Sequence, residues 1–129
     1  MSEFVGEIRS FEDLIVWQKA HKNFLDVVRD VDNFAPSMAA RVIANQMLRS
    51  ASSISANIAE GFGRRTGKEY THYLIVARGS TTETLDWYLK CRDLQLIDAA
   101  VFATRRATLE EILKMLNRMI SQQLNKRSN

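Results

Sequence analysis

The sequence contains little of what strands and tight turns require. Only one of its 129 residues is proline and five are glycine, and runs of β-branched residues are few. Such a composition predicts a few long helices joined by short turns rather than a sheet. We expect one domain over residues 10–125, which is long enough to bury a core without disulfides or a metal.

Cysteine and long apolar runs are also scarce. Cys91 is the single cysteine, so an internal disulfide is excluded and we expect a buried, reduced thiol in a cytoplasmic protein. No apolar run approaches the roughly 18 to 20 residues that span a bilayer. The N-terminus has acidic residues and no apolar stretch typical of a signal peptide. Residues 1–9 are expected to form a loosely held leader, and residues 126–129 a basic tail.

Sequence motifs for chemistry are missing as well. There is no nucleophile elbow, P-loop or dinucleotide fingerprint, and Gly61-Phe-Gly63 is too short and follows a predicted helix. The sequence contains two histidines. His21 is expected in the apolar stripe of the first helix, in a structural role. His72 belongs to one Glu-x-x-His motif, whereas di-iron bundles need two such motifs. We therefore expect no catalytic residue, no metal and no cofactor.

Apolar residues repeat at three- and four-residue spacing along four segments, which predicts four amphipathic helices. The first follows an N-cap at Ser10, with Asp13 completing a capping box, and its stripe is Leu14, Trp17, His21, Phe24, Val28 and Val31. The second runs over 36–60 and is expected to end at Gly61 and Gly63. Its apolar stripe is Met47, Ala51, Ile54, Ile58 and Phe62.

The third helix is predicted over 67–94, beginning with a Thr66–Glu69 capping box. Its main stripe is Tyr70, Leu74, Ala77, Thr81, Leu85, Tyr88 and Cys91. Asp98 is the expected cap of the fourth helix, whose stripe is Leu109, Ile112, Leu113, Leu116, Ile120 and Leu124. Short connections between four such helices predict an all-α, antiparallel up-down-up-down four-helix bundle.

The second helix also carries an unusual polar stripe, because small hydroxyls and an amide are poor choices for a solvated helix face. On this helix the stripe comprises Gln46, Arg49, Ser53, Asn57 and Glu60, and on the third helix Arg78 and Glu83 join it. We expect the charged members to form ion pairs within the bundle or between subunits, since unpaired buried charges are costly. Lining a solvent channel is the alternative.

Basic charge is unevenly distributed. Residues 1–40 carry four basic and seven acidic side chains, whereas residues 41–78 carry six and two. Arg64, Arg65 and Lys68 lie at the predicted turn between the second and third helices, where free backbone N–H groups attract phosphate. They are candidates for contact with a nucleic acid. Solvated charges that keep the turn in water are the alternative.

The third helix has apolar residues on the side opposite its main stripe. Val76, Trp87 and Leu94 line up there, with Ser80 and Glu83 between them. A monomer would expose this strip to water, so we expect an oligomer interface formed by Val76, Ser80, Trp87 and Leu94. The alternative is that the leader folds over the strip.

Taken together, several motifs resemble one family. They are Phe11-Glu-Asp-Leu14, Val16-Trp-Gln-Lys-Ala20, Arg49-Ser-Ala-Ser-Ser-Ile54, Ala56-Asn-Ile-Ala-Glu-Gly61 and Ala77-Arg-Gly-Ser80. The family comprises bacterial four-helix-bundle proteins encoded within intervening sequences of 23S ribosomal RNA genes. This resemblance implies a cytoplasmic ring, commonly a homopentamer, with no catalytic activity and a role with nucleic acid. Related bundles are accessory proteins of reverse transcriptases in diversity-generating retroelements.

Two functional hypotheses follow. The first is a non-enzymatic, ring-forming bundle that acts as a binding or scaffold protein, with RNA or a nucleic-acid complex as its partner. The second is a structural or protein-interaction module that makes no direct contact with nucleic acid. A binding assay with structured RNA at two salt concentrations separates them, because phosphate contacts weaken steeply with salt.

Overall fold

The computed structural model of the chain describes residues 6–64 and 66–128. A single 3-10 turn, Phe11–Asp13, precedes four α-helices: α1 (Ile15–Asp32), α2 (Met38–Arg64), α3 (Gly67–Asp93) and α4 (Ala99–Ser128). Each helix packs against its two neighbours around the bundle, in the order α1, α2, α3, α4 and back to α1. With the short connections, this arrangement is the predicted all-α four-helix bundle.

Side-chain contacts fix the helix directions. The sulfur atoms of Met47 and Cys91 lie 3.5 Å apart, and the hydroxyls of Ser53 and Ser80 2.9 Å apart, so α2 and α3 run antiparallel. The turns from α1 to α2 and from α3 to α4 therefore share one end of the bundle, which we call the upper end. At the opposite end, α2 ends, α3 begins and α4 ends.

The apolar stripes of α2 and α3 are confirmed as the centre of the core. All five predicted residues of α2 are buried, and Ile54 and Ile58 are completely inaccessible. On α3 the predicted residues are buried except Leu85, which is half-buried. On α4 the exceptions are Leu113, which is half-buried, and Leu124 at the far end, which is 46% exposed. The buried hydroxyls of Ser50 and Thr84 lie 2.8 Å apart and join α2 to α3.

The predicted phase of α1 was wrong by about one residue. Its buried residues include Val16, Ala20, Asn23 and Val27, whereas His21 is exposed and stacks on Trp17 with ring centroids 4.8 Å apart. The physical reason is that the buried face of α1 includes the polar residues Asn23, Asp26 and Asp30, which a search for apolar periodicity passes over. The capping box at Ser10 is present and closes the 3-10 turn.

The glycines at the end of α2 do not terminate it. Helix α2 continues through Gly61 and Gly63 to Arg64. Gly61 is buried because α3 passes close to it: a Cβ atom there would lie 2.9 Å from the Cβ of Tyr73. This glycine is therefore required for helix packing rather than for a turn.

The ends of α3 and α4 also differ in part from expectation. Thr66 precedes α3 but its side chain makes no capping hydrogen bond; the carboxylate of Glu69 instead accepts a hydrogen bond from Arg64. Asp98 does cap α4, accepting a hydrogen bond from the backbone N–H of Val101 over 2.8 Å. Helix α4 extends to Ser128, through most of the segment expected as a basic tail.

Candidate interaction surfaces

The outer edges of α2 and α3 form one continuous surface. Ser80 donates a hydrogen bond to the hydroxyl of Ser53, and the amide of Asn57 donates to the same hydroxyl over 2.9 Å. Helical periodicity places the other polar-stripe residues of α2 along this seam, beside the apolar strip of α3. We call this surface the seam face; it comprises Val42, Gln46, Arg49, Ser53, Asn57, Glu60, Val76, Ser80, Glu83, Trp87 and Leu94.

The structure thus brings two separately predicted residue sets together, but without the expected buried ion pairs within the chain. Glu83 accepts a hydrogen bond from the indole N–H of Trp87 over 3.2 Å, and Glu60 pairs with Arg64. Arg49 is exposed, and its guanidinium makes no polar contact with any described residue of its own chain. The guanidinium of Arg49 is therefore an unpaired cation on the seam face, among small and half-buried side chains.

The prediction that Arg78 shares the polar stripe of α2 was wrong. It lies on the other side of α3 and donates a hydrogen bond to the side-chain oxygen of Asn117 on α4 over 3.1 Å. That pair lies in a shallow surface groove between the two helices. We call it the α3–α4 groove; it is lined by Ile75, Arg78, Gly79, Thr82, Leu113 and Asn117.

Exposed large hydrophobic residues concentrate on these two surfaces. Val42 and Leu94 are 54% and 53% exposed at the upper end of the seam face, and Met38 lies beside them at the start of α2. Ile75 in the α3–α4 groove is 41% exposed. Leu25, on the outer side of α1, stands apart from both surfaces. Aligned exposed apolar side chains commonly mark contact surfaces.

The predicted phosphate site is partly occupied by the chain's own acidic groups. Arg64 donates hydrogen bonds to Glu60 over 3.2 Å and to Glu69 over 3.3 Å, and its guanidinium lies over the ring of Tyr73. The hydrogen bonds that Arg64 donates, first to Glu60 and second to Glu69, raise the pKa of Arg64. Lys68 is exposed, and Arg65 lies outside the described residues.

Lys126 of α4 lies at the same end of the bundle as Lys68. Arg78 contacts Asn117, and α3 and α4 run antiparallel. Lys68 lies ten residues before Arg78 and Lys126 nine residues after Asn117. At a rise of about 1.5 Å per residue, the two lysines lie at nearly the same level. We call this region, with the α2–α3 turn, the basic end.

One buried polar cluster has no counterpart in the sequence-based predictions. Asp30 of α1 accepts hydrogen bonds from the Tyr88 hydroxyl over 2.6 Å and from the Arg105 guanidinium over 2.7 and 3.0 Å. Arg105 also lies 3.5 Å from Asp26. Burial first, and the hydrogen bond to Asp30 second, raise the pKa of Tyr88. The only indication of this cluster in the sequence is the acidic residues on the inner face of α1, and a search for apolar periodicity does not count them.

The predicted Glu-x-x-His motif lies near the start of α3. His72 is exposed and its ring contacts Tyr73 edge-on. Within residues 6–64 and 66–128, no three His, Cys, Asp or Glu side chains are grouped to hold a metal. None of the helices in the described ranges has the length and apolar character required to cross a membrane.

Comparison with known proteins identifies the family of the chain. The family model described as 23S rRNA-intervening sequence protein matches residues 12–118. The chain belongs to this family. Both the seam face and the α3–α4 groove lie within the part that matches the 23S rRNA-intervening sequence family, whereas Lys126 lies beyond it.

A solved structure shares the fold. It is a protein of unknown function from the S23 ribosomal protein family of Bacteroides thetaiotaomicron, 24% identical in sequence, with a TM-score of 0.77. The match covers 82% of this chain and 98% of that one. No curated protein matches the chain.

Proposed function

We propose that the chain is a non-enzymatic scaffold that assembles into a ring, with the seam face as its subunit contact. The observation that carries this is the composition of that face. Val42 and Leu94 supply apolar area at its upper end, half-buried Trp87 supplies it near the middle, and the small Ser53 and Ser80 allow close approach below. Interface centres are enriched in such aromatic anchors. A homopentamer is the assembly that the family resemblance favours.

Trp87→Glu tests this assembly. A buried carboxylate at the centre of a contact is costly, so the variant should be monomeric while keeping its helical content. Light scattering coupled to size-exclusion chromatography gives the number of chains. Leu25→Glu is the matched control, because it makes the same kind of change at an exposed residue away from the seam face and should leave the assembly intact. A monomeric wild type, or an intact assembly in the Trp87→Glu variant, would refute the proposal.

RNA is the partner that we propose for this scaffold. The supporting observation is that Lys68 and Lys126, which are far apart in sequence, lie at the same end of the bundle, and no acidic side chain among the described residues pairs with either one. In a ring the basic end is repeated in each subunit, which multiplies weak phosphate contacts. Engagement of Arg64 by two glutamates makes Lys68 the stronger single candidate.

The RNA contact is tested by measuring binding of a structured RNA at several salt concentrations. The triple variant Arg64→Ala, Arg65→Ala, Lys68→Ala should bind more weakly and with a shallower salt dependence, by about 0.7 to 0.9 units of slope for each lost phosphate contact. Unchanged affinity and slope would exclude this site. If the wild type binds no RNA at low salt, the protein-interaction module without nucleic-acid contact is the better description.

A further inference from the structure

We propose that the seam face of one copy docks into the α3–α4 groove of the next copy. The bundles then stand side by side around the ring, and the α3 helices line its inner wall. This inference rests on the proposed ring assembly and identifies the second surface that such a ring requires. A closed ring with more than two subunits uses heterologous contacts, in which two different patches of each subunit meet.

The positions of the two surfaces fit ring closure. The seam face and the α3–α4 groove lie on adjacent sides of the bundle and share α3 as their common edge. Adjacent sides of a four-helix bundle meet at roughly a right angle. Subunits with contact sides at this inclination close after about four or five copies, with the shared edge facing the ring axis.

Gly79 supplies a steric reason for the pairing. It lies in the middle of α3 at an exposed position, and an added Cβ atom would meet nothing within 4 Å in its own chain. Glycine inside a helix costs about 1 kcal/mol relative to alanine, and no contact within the chain explains it. At almost the same level, the seam face has its small residues Ser53 and Ser80. Small residues on both sides allow the backbones of two copies to approach closely.

Charges at matching levels also complement each other. Arg49 directly precedes Ser50, which contacts Thr84, so Arg49 lies level with Leu85 of α3. Glu110 lies seven residues before Asn117, and Leu85 lies seven residues after Arg78, the partner of Asn117. Glu110 at the edge of the groove is therefore also level with Leu85. Glu110 is 52% exposed and forms a surface ion pair with Arg106 of its own chain over 3.8 Å, so its carboxylate can still meet a second cation. Docking with parallel bundle axes brings the guanidinium of Arg49 of one copy to this carboxylate of the next.

Mixing two blocked variants tests the pairing. Trp87→Glu blocks the seam face, and Gly79→Gln blocks the groove with a good helix former at a position that is open in the monomer. Each variant alone should be monomeric. When they are mixed, the intact groove of the first should bind the intact seam face of the second, and light scattering should show a two-chain complex that does not grow further.

The other outcomes separate the two proposals. If the wild type is monomeric, the ring itself fails. If the wild type assembles and the Gly79→Gln variant assembles equally well, the ring stands but the pairing of these surfaces is refuted. The same conclusion follows if the mixture of two monomeric variants stays monomeric. Circular dichroism of each variant verifies that the helices remain folded.

Charge reversal provides an independent measurement. Arg49→Glu and Glu110→Arg, both at exposed positions, should each weaken assembly on the order of tenfold, and the double variant should recover most of the loss. Sedimentation at a series of protein concentrations measures these constants. Additive losses in the double variant would refute contact between the two residues across the ring.

Discussion

The close approach of α2 and α3 at Gly61 gives a prediction with internal controls. An alanine Cβ at this position would lie 2.9 Å from the Cβ of Tyr73 and 3.2 Å from the Cδ1 of Tyr70. Carbon atoms in contact normally lie about 3.5 to 4.0 Å apart, and the Cβ of Tyr73 moves only with its backbone. Gly61→Ala therefore requires α3 to shift outward.

The magnitude follows from two opposing effects. Overpacking of this kind costs about 1 to 3 kcal/mol, whereas replacing glycine by alanine inside a helix gains about 1 kcal/mol. We expect Gly61→Ala to be destabilising by about 0 to 2 kcal/mol. Gly63→Ala and Gly79→Ala place the same methyl group at helical positions with nothing within 4 Å, so they should be neutral or stabilising by up to about 1 kcal/mol.

Urea unfolding followed by circular dichroism measures all three variants, at several protein concentrations so that assembly is separated from folding. The helix-propensity gain is similar in the three variants, so their difference isolates the steric cost at Gly61. A Gly61→Ala variant as stable as the Gly63→Ala variant would refute the close approach of α2 and α3.

Three further predictions concern the buried interior. Ile58→Ala removes a fully buried side chain from the core and should lower the free energy of unfolding by about 2 to 5 kcal/mol in a urea titration; an unchanged midpoint would contradict the phase of α2. Asn23→Leu should raise that free energy by about 1 to 3 kcal/mol, because Asn23 is completely buried and its amide atoms have no described partner; a loss of stability would show that the amide is hydrogen-bonded. Burial first, and the charge of Asp30 second, raise the pKa of the Cys91 thiol to about 12. At pH 8 the native protein should therefore react with a thiol reagent only as fast as it unfolds, and rapid labelling of the folded protein would contradict this.

Helix number and the core of α2 could be predicted from sequence because both depend on local order. A residue's position around a helix is fixed by counting, so Met47, Ile54 and Ile58 had to share one side. The N-cap at Asp98 is equally local, since its carboxylate needs only the N–H three residues further on. The same reasoning failed at His21 because the buried face of α1 is partly polar, with Asn23, Asp26 and Asp30 on it, so the apolar pattern indicated a neighbouring face.

Features that join distant parts of the chain were decided by the tertiary structure alone. Asp30 meets Tyr88 and Arg105 from 58 and 75 residues away, and nothing in their local sequence indicates that the three converge. Gly61 was predicted to end α2. It is a packing site instead, because α3 passes beside it.

The same division applies to the candidate surfaces. The sequence determined that α2 carries a polar stripe and α3 an apolar strip, since each lies on one helix. It did not determine that the two are neighbours, that Arg78 faces α4 instead, or that Arg64 is engaged by Glu60 and Glu69. Those depend on how the helices are rotated about their axes when packed, which is set by the fit of all the buried side chains together.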